Sequence, residues 1–212
     1  MLGLGDPHHP MLPRLYPILD PALLANPGDA VVFARELVQG GATFIQYRDK
    51  TGTGRQMLAD ARALKHALGP NIRLIMNDRA DLCLAAGFVG VHVGQDDLSP
   101  ESARLVVGDR LWVGVSTHSV AQVIEADKTS ANYIAIGPIF ATSSKQNPDP
   151  VVGLEGARAA RAATRKPLVA IGGITRDNCV SVIHAGADSV AVISDLVHDP
   201  AKSVAAFLRV LG

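Results

Sequence analysis

The chain has 212 residues, of which 48% are hydrophobic and 19% charged, enough apolar material for one sizeable core and too much for global disorder. Lys plus Arg and Asp plus Glu each number 20, so no basic excess points to nucleic acid, and any bound anion must be held by local groups. No apolar run approaches the roughly 20 residues of a bilayer span and no signal-peptide pattern opens the chain, so a single domain in the cytoplasm, without a membrane partner, is expected.

Residues 1–13, with Pro7, Pro10, Pro13 and the pair His8-His9, carry neither strand nor helix period and are expected to form a flexible leader ahead of a catalytic domain over 14–212. From there, short Val/Ile/Leu runs alternate with Ala-rich amphipathic stretches, the pattern of repeated βα units. Strands are predicted over 15–19, 43–48, 73–76, 90–93, 111–115, 133–136, 168–171 and 189–193. Helices fill the intervals. Gly28-Asp29 opens one that ends at Gly40-Gly41, Ser99-Pro100-Glu101 opens another, and Thr175-Arg176-Asp177 a third. Eight such units could form an open doubly wound sheet, but no G-x-G-x-x-G follows the first strand and no Walker sequence is present. A single closed (β/α)8 TIM barrel is therefore the predicted fold, near the lower size limit of that architecture. The stretch from Phe140 to Val152, with Pro148 and Pro150, is a candidate lid. Cys83 and Cys179 match no redox or metal pattern and read as reduced core residues.

Chemistry collects at the predicted strand ends. In Gln46-Tyr47-Arg48-Asp49-Lys50, the two-residue strand period places Gln46, Arg48 and Lys50 on one side. A closed barrel would aim them into its mouth, as a grip for an anion and a heterocycle or as partners in structural ion pairs. The third strand ends in Asn77-Asp78, and Gln95-Asp96-Asp97 follows the fourth. Either aspartate alone would read as a helix cap; together, opposite a cationic strand, they suit Mg2+, which needs only one or two carboxylates beside phosphate and water. Ser116 and His118 close the fifth strand, His118 as a cap or hydrogen-bond partner rather than a base, and His92 as a structural residue. Thr142, Ser143, Ser144 and Lys145 put hydroxyls and an ammonium on the lid. Gly172-Gly173, Ile193 and Ser194 then occupy the usual barrel phosphate position.

The ordered motifs Q-Y-R-D-K, N-D-R-A-D, H-V-G-Q-D-D, G-V-S-T-H, G-P-I-F-A-T-S-S-K, I-G-G-I and V-I-S resemble those of the thiamine phosphate synthase family, over nearly the whole chain after the leader. That resemblance implies a transferase that joins a pyrimidine-methyl diphosphate to a thiazole phosphate, releasing diphosphate with Mg2+ as cofactor. It further implies a pyrimidine diphosphate site at Gln46, Tyr47, Arg48, Asp49, Lys50, Asn77, Ser116 and Lys145, with Arg48, Lys50, Ser116 and Lys145 as the catalytic set. Asp78 and Asp97 would be the metal ligands, and Thr142, Ser143, Ser144, Gly173, Ile193 and Ser194 would hold the thiazole phosphate. Ser144 stands where the family more often carries threonine; both offer a hydroxyl. The alternatives are a thiazole tautomerase, against which Asp97, Lys145 and the proline of Gly137-Pro138 argue, and a non-catalytic sensing barrel. Oligomeric state, a homo-oligomer included, is left open.

Overall fold

The computed structural model describes residues 12–142 and 149–212. Eight strands form a closed barrel in sequence order: β1 Leu15–Leu19, β2 Phe44–Tyr47, β3 Arg73–Asn77, β4 Gly90–Val93, β5 Trp112–Thr117, β6 Tyr133–Ile136, β7 Leu168–Ile171 and β8 Ser189–Val192. All neighbouring pairs are parallel, and the ring closes where Leu15, Tyr16 and Pro17 pair with Val190, Ala191 and Val192. The helices that return the chain are α1 Ala30–Gln39, α2 Gly54–Leu68, α3 Ala80–Ala86, α4 Pro100–Val107, α5 Val120–Asp127, α6 Gly153–Ala163, α7 Cys179–His184 and α8 Pro200–Leu211. Among the described residues no helix is long and apolar enough to cross a membrane.

Alternation along each strand sorts side chains into two cores. Leu19, Ile45, Leu74, Met76, Val91, Val113, Ile134 and Leu168 face outward and pack with Phe33, Leu37, Leu64 and Phe207 of the helices. Tyr16, Ile18, Phe44, Ile75, Trp112, Tyr133, Ala135, Val169 and Ala191 face inward. At the bottom, the Arg73 guanidinium lies 5.9 Å from the Phe44 ring centre and 5.5 Å from that of Trp112. Leu12 packs onto the same inner cluster, so the last part of the expected leader helps to close the barrel floor. The rest of that leader, residues 1–11, lies outside the described residues.

Local chemistry sets most boundaries. Thr53, Ser99 and Ser119 accept from the backbone N–H groups of Gln56, Ser102 and Gln122 and so cap α2, α4 and α5. Helix α7 begins at Cys179, not at Thr175. The Asn178 side chain accepts from Thr175 N at 2.8 Å and donates to Gly173 O at 3.0 Å, holding residues 175–178 in a turn before the helix. Strand β5 runs two residues beyond its expected end because Ser116 and Thr117 pair with Ala135 and Ile136, and the Thr117 hydroxyl donates to Ala135 O at 2.8 Å. Both cysteines are free and buried, and burial pushes the Cys83 thiol up to about 12, which keeps it protonated and inert.

One inward position cannot hold a side chain. A Cβ on Gly114 would lie 2.1 Å from Cζ of Tyr133 and 2.5 Å from Nδ1 of His92, both fixed inside the barrel. Gly114→Ala is therefore expected to destabilise the protein by about 1–3 kcal/mol through overpacking, read as a lower urea midpoint at unchanged slope.

Candidate active site

The C-terminal mouth of the barrel opens into a cavity of about 510 Å³. Gln46, Arg48 and Lys50 all reach it, as strand alternation requires. Each has a protein partner. Arg48 is ion-paired with Asp20, a nearly buried acid just beyond β1, and Lys50 is ion-paired with Asp78. Asp20 also accepts from Ala22 N at 3.1 Å. Asp20 carries Arg48 at the mouth and was not singled out from the sequence. The available signal was its place two residues after inward-facing Ile18, beside the strand that bears the arginine.

Tyr47 and Asp49 do not join this group. Tyr47 points outward, and its hydroxyl donates to the Asp60 carboxylate of α2 at 3.4 Å; burial first, then the Asp60 charge, raises its pKa. Asp49 accepts from the backbone of Thr51 at 2.9 Å and of Gly52 at 2.8 Å, closing the turn into α2. Both follow from the same alternation that turns Gln46, Arg48 and Lys50 inward.

On the next strands the acidic side of the cavity is assembled. Asn77 is 7% exposed, and its Nδ2 is a buried donor with no hydrogen-bond partner among the described residues. An unsatisfied buried donor costs about 1–3 kcal/mol, which a ligand acceptor would recover. Asp78 adopts φ +60°, a left-handed conformation tolerated by Asp, and its backbone N–H donates to His92 O at 2.8 Å. Burial pushes the Asp78 carboxyl above its ordinary value, Lys50 draws it back, and the adjacent Asp97 carboxyl raises it again. Asp97 meanwhile accepts from Gly94 N at 2.9 Å. No group of three or more His, Cys, Asp or Glu suited to a metal occurs among the described residues. Two neighbouring oxygen-donor carboxylates on an open cavity nonetheless fit the one or two that Mg2+ takes from a protein.

The opposite wall is backbone-rich. Gly172 and Gly173 have φ of +97° and +63°, and a Cβ on Gly173 would lie 2.5 Å from Ala141 O. The segment after β6 rests directly on them, with Phe140 N donating to Gly172 O at 3.0 Å. Gly173, Ile193, Ser194 and Thr142 line the cavity; Ser143, Ser144 and Lys145 lie outside the described residues. Ser116 lines the cavity. His118 reaches Gly137 O at 2.7 Å through Nδ1 and stands 3.4 Å from Asp149 through Nε2.

A closed parallel barrel whose mouth gathers two cations, a carboxylate pair and an unsatisfied amide, facing a glycine-rich wall, defines a barrel enzyme built to handle phosphorylated small molecules. Comparison with known proteins narrows this class. A family model described as thiamine monophosphate synthase matches residues 15–196. A thiamine-phosphate synthase of Koribacter versatilis is 61% identical over 203 residues, covering 94% of this chain and 96% of that one. Another, from Chloroflexus aurantiacus, is 41% identical over 200 residues, covering 93% and 92%. The solved thiamine phosphate pyrophosphorylase from Pyrococcus furiosus superposes with a TM-score of 0.84 at 32% identity, covering 93% of this chain and 95% of that one. The chain belongs to the thiamine-phosphate synthase family, whose members are transferases.

The Asp20 contact is separable from the rest of the mouth. Asp20→Asn keeps an oxygen for the turn at Ala22 but removes the charge paired with Arg48, and is expected to cost about 1–3 kcal/mol of stability. Urea unfolding of the variant measures the loss.

Proposed function

We propose that the cavity binds a pyrimidine-methyl diphosphate against strands β2 to β5 and a thiazole phosphate against the ends of β7 and β8, and joins them as thiamine phosphate with release of diphosphate. The observation that carries this division is the asymmetry of the cavity. Arg48, Lys50, Asn77, Asp78 and Asp97 crowd one side, while Gly173, Ile193 and Ser194 form the other. One side suits a highly charged group with a metal, the other a single phosphate held by backbone N–H groups.

In this assignment Asp78 and Asp97 would hold Mg2+, which when bound supplies positive charge to a departing diphosphate. Every other task falls to the chain itself. Gln46 meets the pyrimidine, and the Asn77 amide donates to a substrate acceptor. Arg48 and Lys50 exchange part of their pairing with Asp20 and Asp78 for the diphosphate oxygens, so the cations are already in place before substrate arrives. Ser116 offers a hydroxyl at the leaving oxygen. Lys145 would add a further cation for the diphosphate, and the hydroxyls of Thr142, Ser143 and Ser144 would serve the thiazole phosphate. As the bond from the methylene carbon to oxygen breaks, its electron pair leaves with diphosphate, and the thiazole nitrogen supplies the pair for the new carbon–nitrogen bond. No protein nucleophile is needed; the protein aligns the two substrates and keeps water from the methylene carbon.

Purified protein given Mg2+, pyrimidine-methyl diphosphate and thiazole phosphate is expected to form thiamine phosphate and diphosphate, detected by mass spectrometry. Folded protein that yields no product above the enzyme-free control would refute the assignment. Asp97→Ala is expected to raise the Mg2+ concentration for half-maximal rate by at least about tenfold, read from a magnesium titration of the initial rate. An unchanged titration would make Asp97 only the cap on Gly94.

A further inference from the structure

A chain of polar side chains crosses the barrel interior between Gln46 and Ser116, and its three middle members, Tyr16, Tyr133 and His92, have no part in the division of labour above. Gln46 Nε2 donates to the Tyr16 hydroxyl at 2.9 Å. The Tyr16 and Tyr133 hydroxyls lie 3.0 Å apart, and that of Tyr133 is 3.0 Å from His92 Nδ1. His92 Nε2 is in turn 2.9 Å from Ser116 Oγ. Five strands thus contribute one residue each, in the spatial order β2, β1, β6, β4, β5. Gln46, Tyr16, His92 and Ser116 all border the cavity, whereas Tyr133, which joins the two halves of the chain, is fully buried.

Counting protons gives the chain a direction. Burial raises the pKa of both tyrosines, so each hydroxyl keeps its one proton, and each can donate once while accepting from a neighbour. Tyr16 accepts from the Gln46 amide, and for its own buried proton the acceptor within reach is the Tyr133 oxygen, so the proton is assigned there. Tyr133 must then donate to His92 Nδ1, which carries no proton. The imidazole proton therefore sits on Nε2 and is donated to Ser116 Oγ. Every link is filled in this sense, and the one proton left to point out of the chain is that of the Ser116 hydroxyl.

We propose that Tyr16, Tyr133 and His92 are positioning residues that commit the Ser116 hydroxyl to donating into the cavity, toward the leaving oxygen of the diphosphate. This rests on the assignment of that side of the cavity to the pyrimidine diphosphate. An isolated serine hydroxyl rotates, and in some orientations it turns a lone pair toward an anion. With His92 Nε2–H already occupying an oxygen lone pair, those orientations are disfavoured before substrate binds, which is the preorganisation that stabilises developing charge. Negative charge growing on the leaving oxygen further polarises the donors behind Ser116. Gly114 belongs to the same device, because only a residue without a side chain leaves room for Tyr133 and His92 to meet.

The test is a double-mutant cycle on turnover. Tyr133→Phe removes one buried hydroxyl. It is expected to lower kcat about tenfold, with KM for the thiazole phosphate unchanged, and to cost less than about twofold when Ser116 is already alanine. Equal cost in both backgrounds, or a kcat within about twofold of the parent, would overturn the proposal. Should Tyr133→Phe not fold, Tyr16→Phe cuts the chain one link earlier and runs the same cycle. A second readout needs no turnover: nitrogen-15 spectra of histidine-labelled protein should show His92 neutral with its proton on Nε2, the resonance being assigned by its loss in His92→Asn. A proton on Nδ1 would reverse the chain and also overturn the proposal. Failure of the parent protein to make thiamine phosphate refutes the functional assignment instead, and is distinguished by the unmutated control.

Discussion

Closure of the parallel sheet, made by the pairing of β1 with β8, is the constraint on which the molecule depends. A closed barrel has no edge, so every strand sends alternate residues into a space shared with seven others. Apolar residues fill the lower part of that space, where Phe44, Ile75 and Trp112 sit. Any polar residue pointing inward must find its partner on another strand or at the open end. Gln46, Tyr16, Tyr133, His92 and Ser116 meet the first condition by bonding to one another. Arg48 and Lys50 meet the second at the mouth, and the Asn77 amide, which meets neither among the described residues, faces the cavity with a donor to spare.

The electrostatics of the mouth follow from that geometry and not from overall charge, since acidic and basic residues balance over the chain. Two cations are held by two acids that differ in what they offer. Asp20 is nearly buried and doubly engaged, by Arg48 and by the turn at Ala22, so it acts as a fixed support. Asp78 is more open and shares its surroundings with both Lys50 and Asp97, so its charge is only partly satisfied. A site that keeps some of its charge unsatisfied gives up stability for readiness to bind, the usual compromise at functional positions.

All eight strands were legible from the two-residue and βα periods, because a strand buried on both faces must be a short apolar run between helices. Ends were less legible. Strand β5 continues through Ser116 and Thr117 on account of its neighbour β6, a contact between distant parts of the chain, and α7 starts late because Asn178 ties down the preceding turn, a local contact that leaves no mark on the helical period. Among the site residues, the run from Gln46 to Lys50 shows the limit well. Family resemblance takes all five together, whereas the pleat of the strand separates Tyr47 and Asp49, which serve packing and a turn, from the three that reach the cavity.

By itself the sequence determined the class of fold, the family and the cavity-facing parity of β2, since these depend on periodicity and on residue types at strand ends. Tertiary structure alone decided which groups meet. Asp20 with Arg48, Asp78 with Asp97, and Tyr16 with Tyr133 are separated by 28, 19 and 117 positions along the chain. They become neighbours only when the sheet closes, because strand order and register, and not sequence distance, set which inward-facing side chains share a level of the barrel.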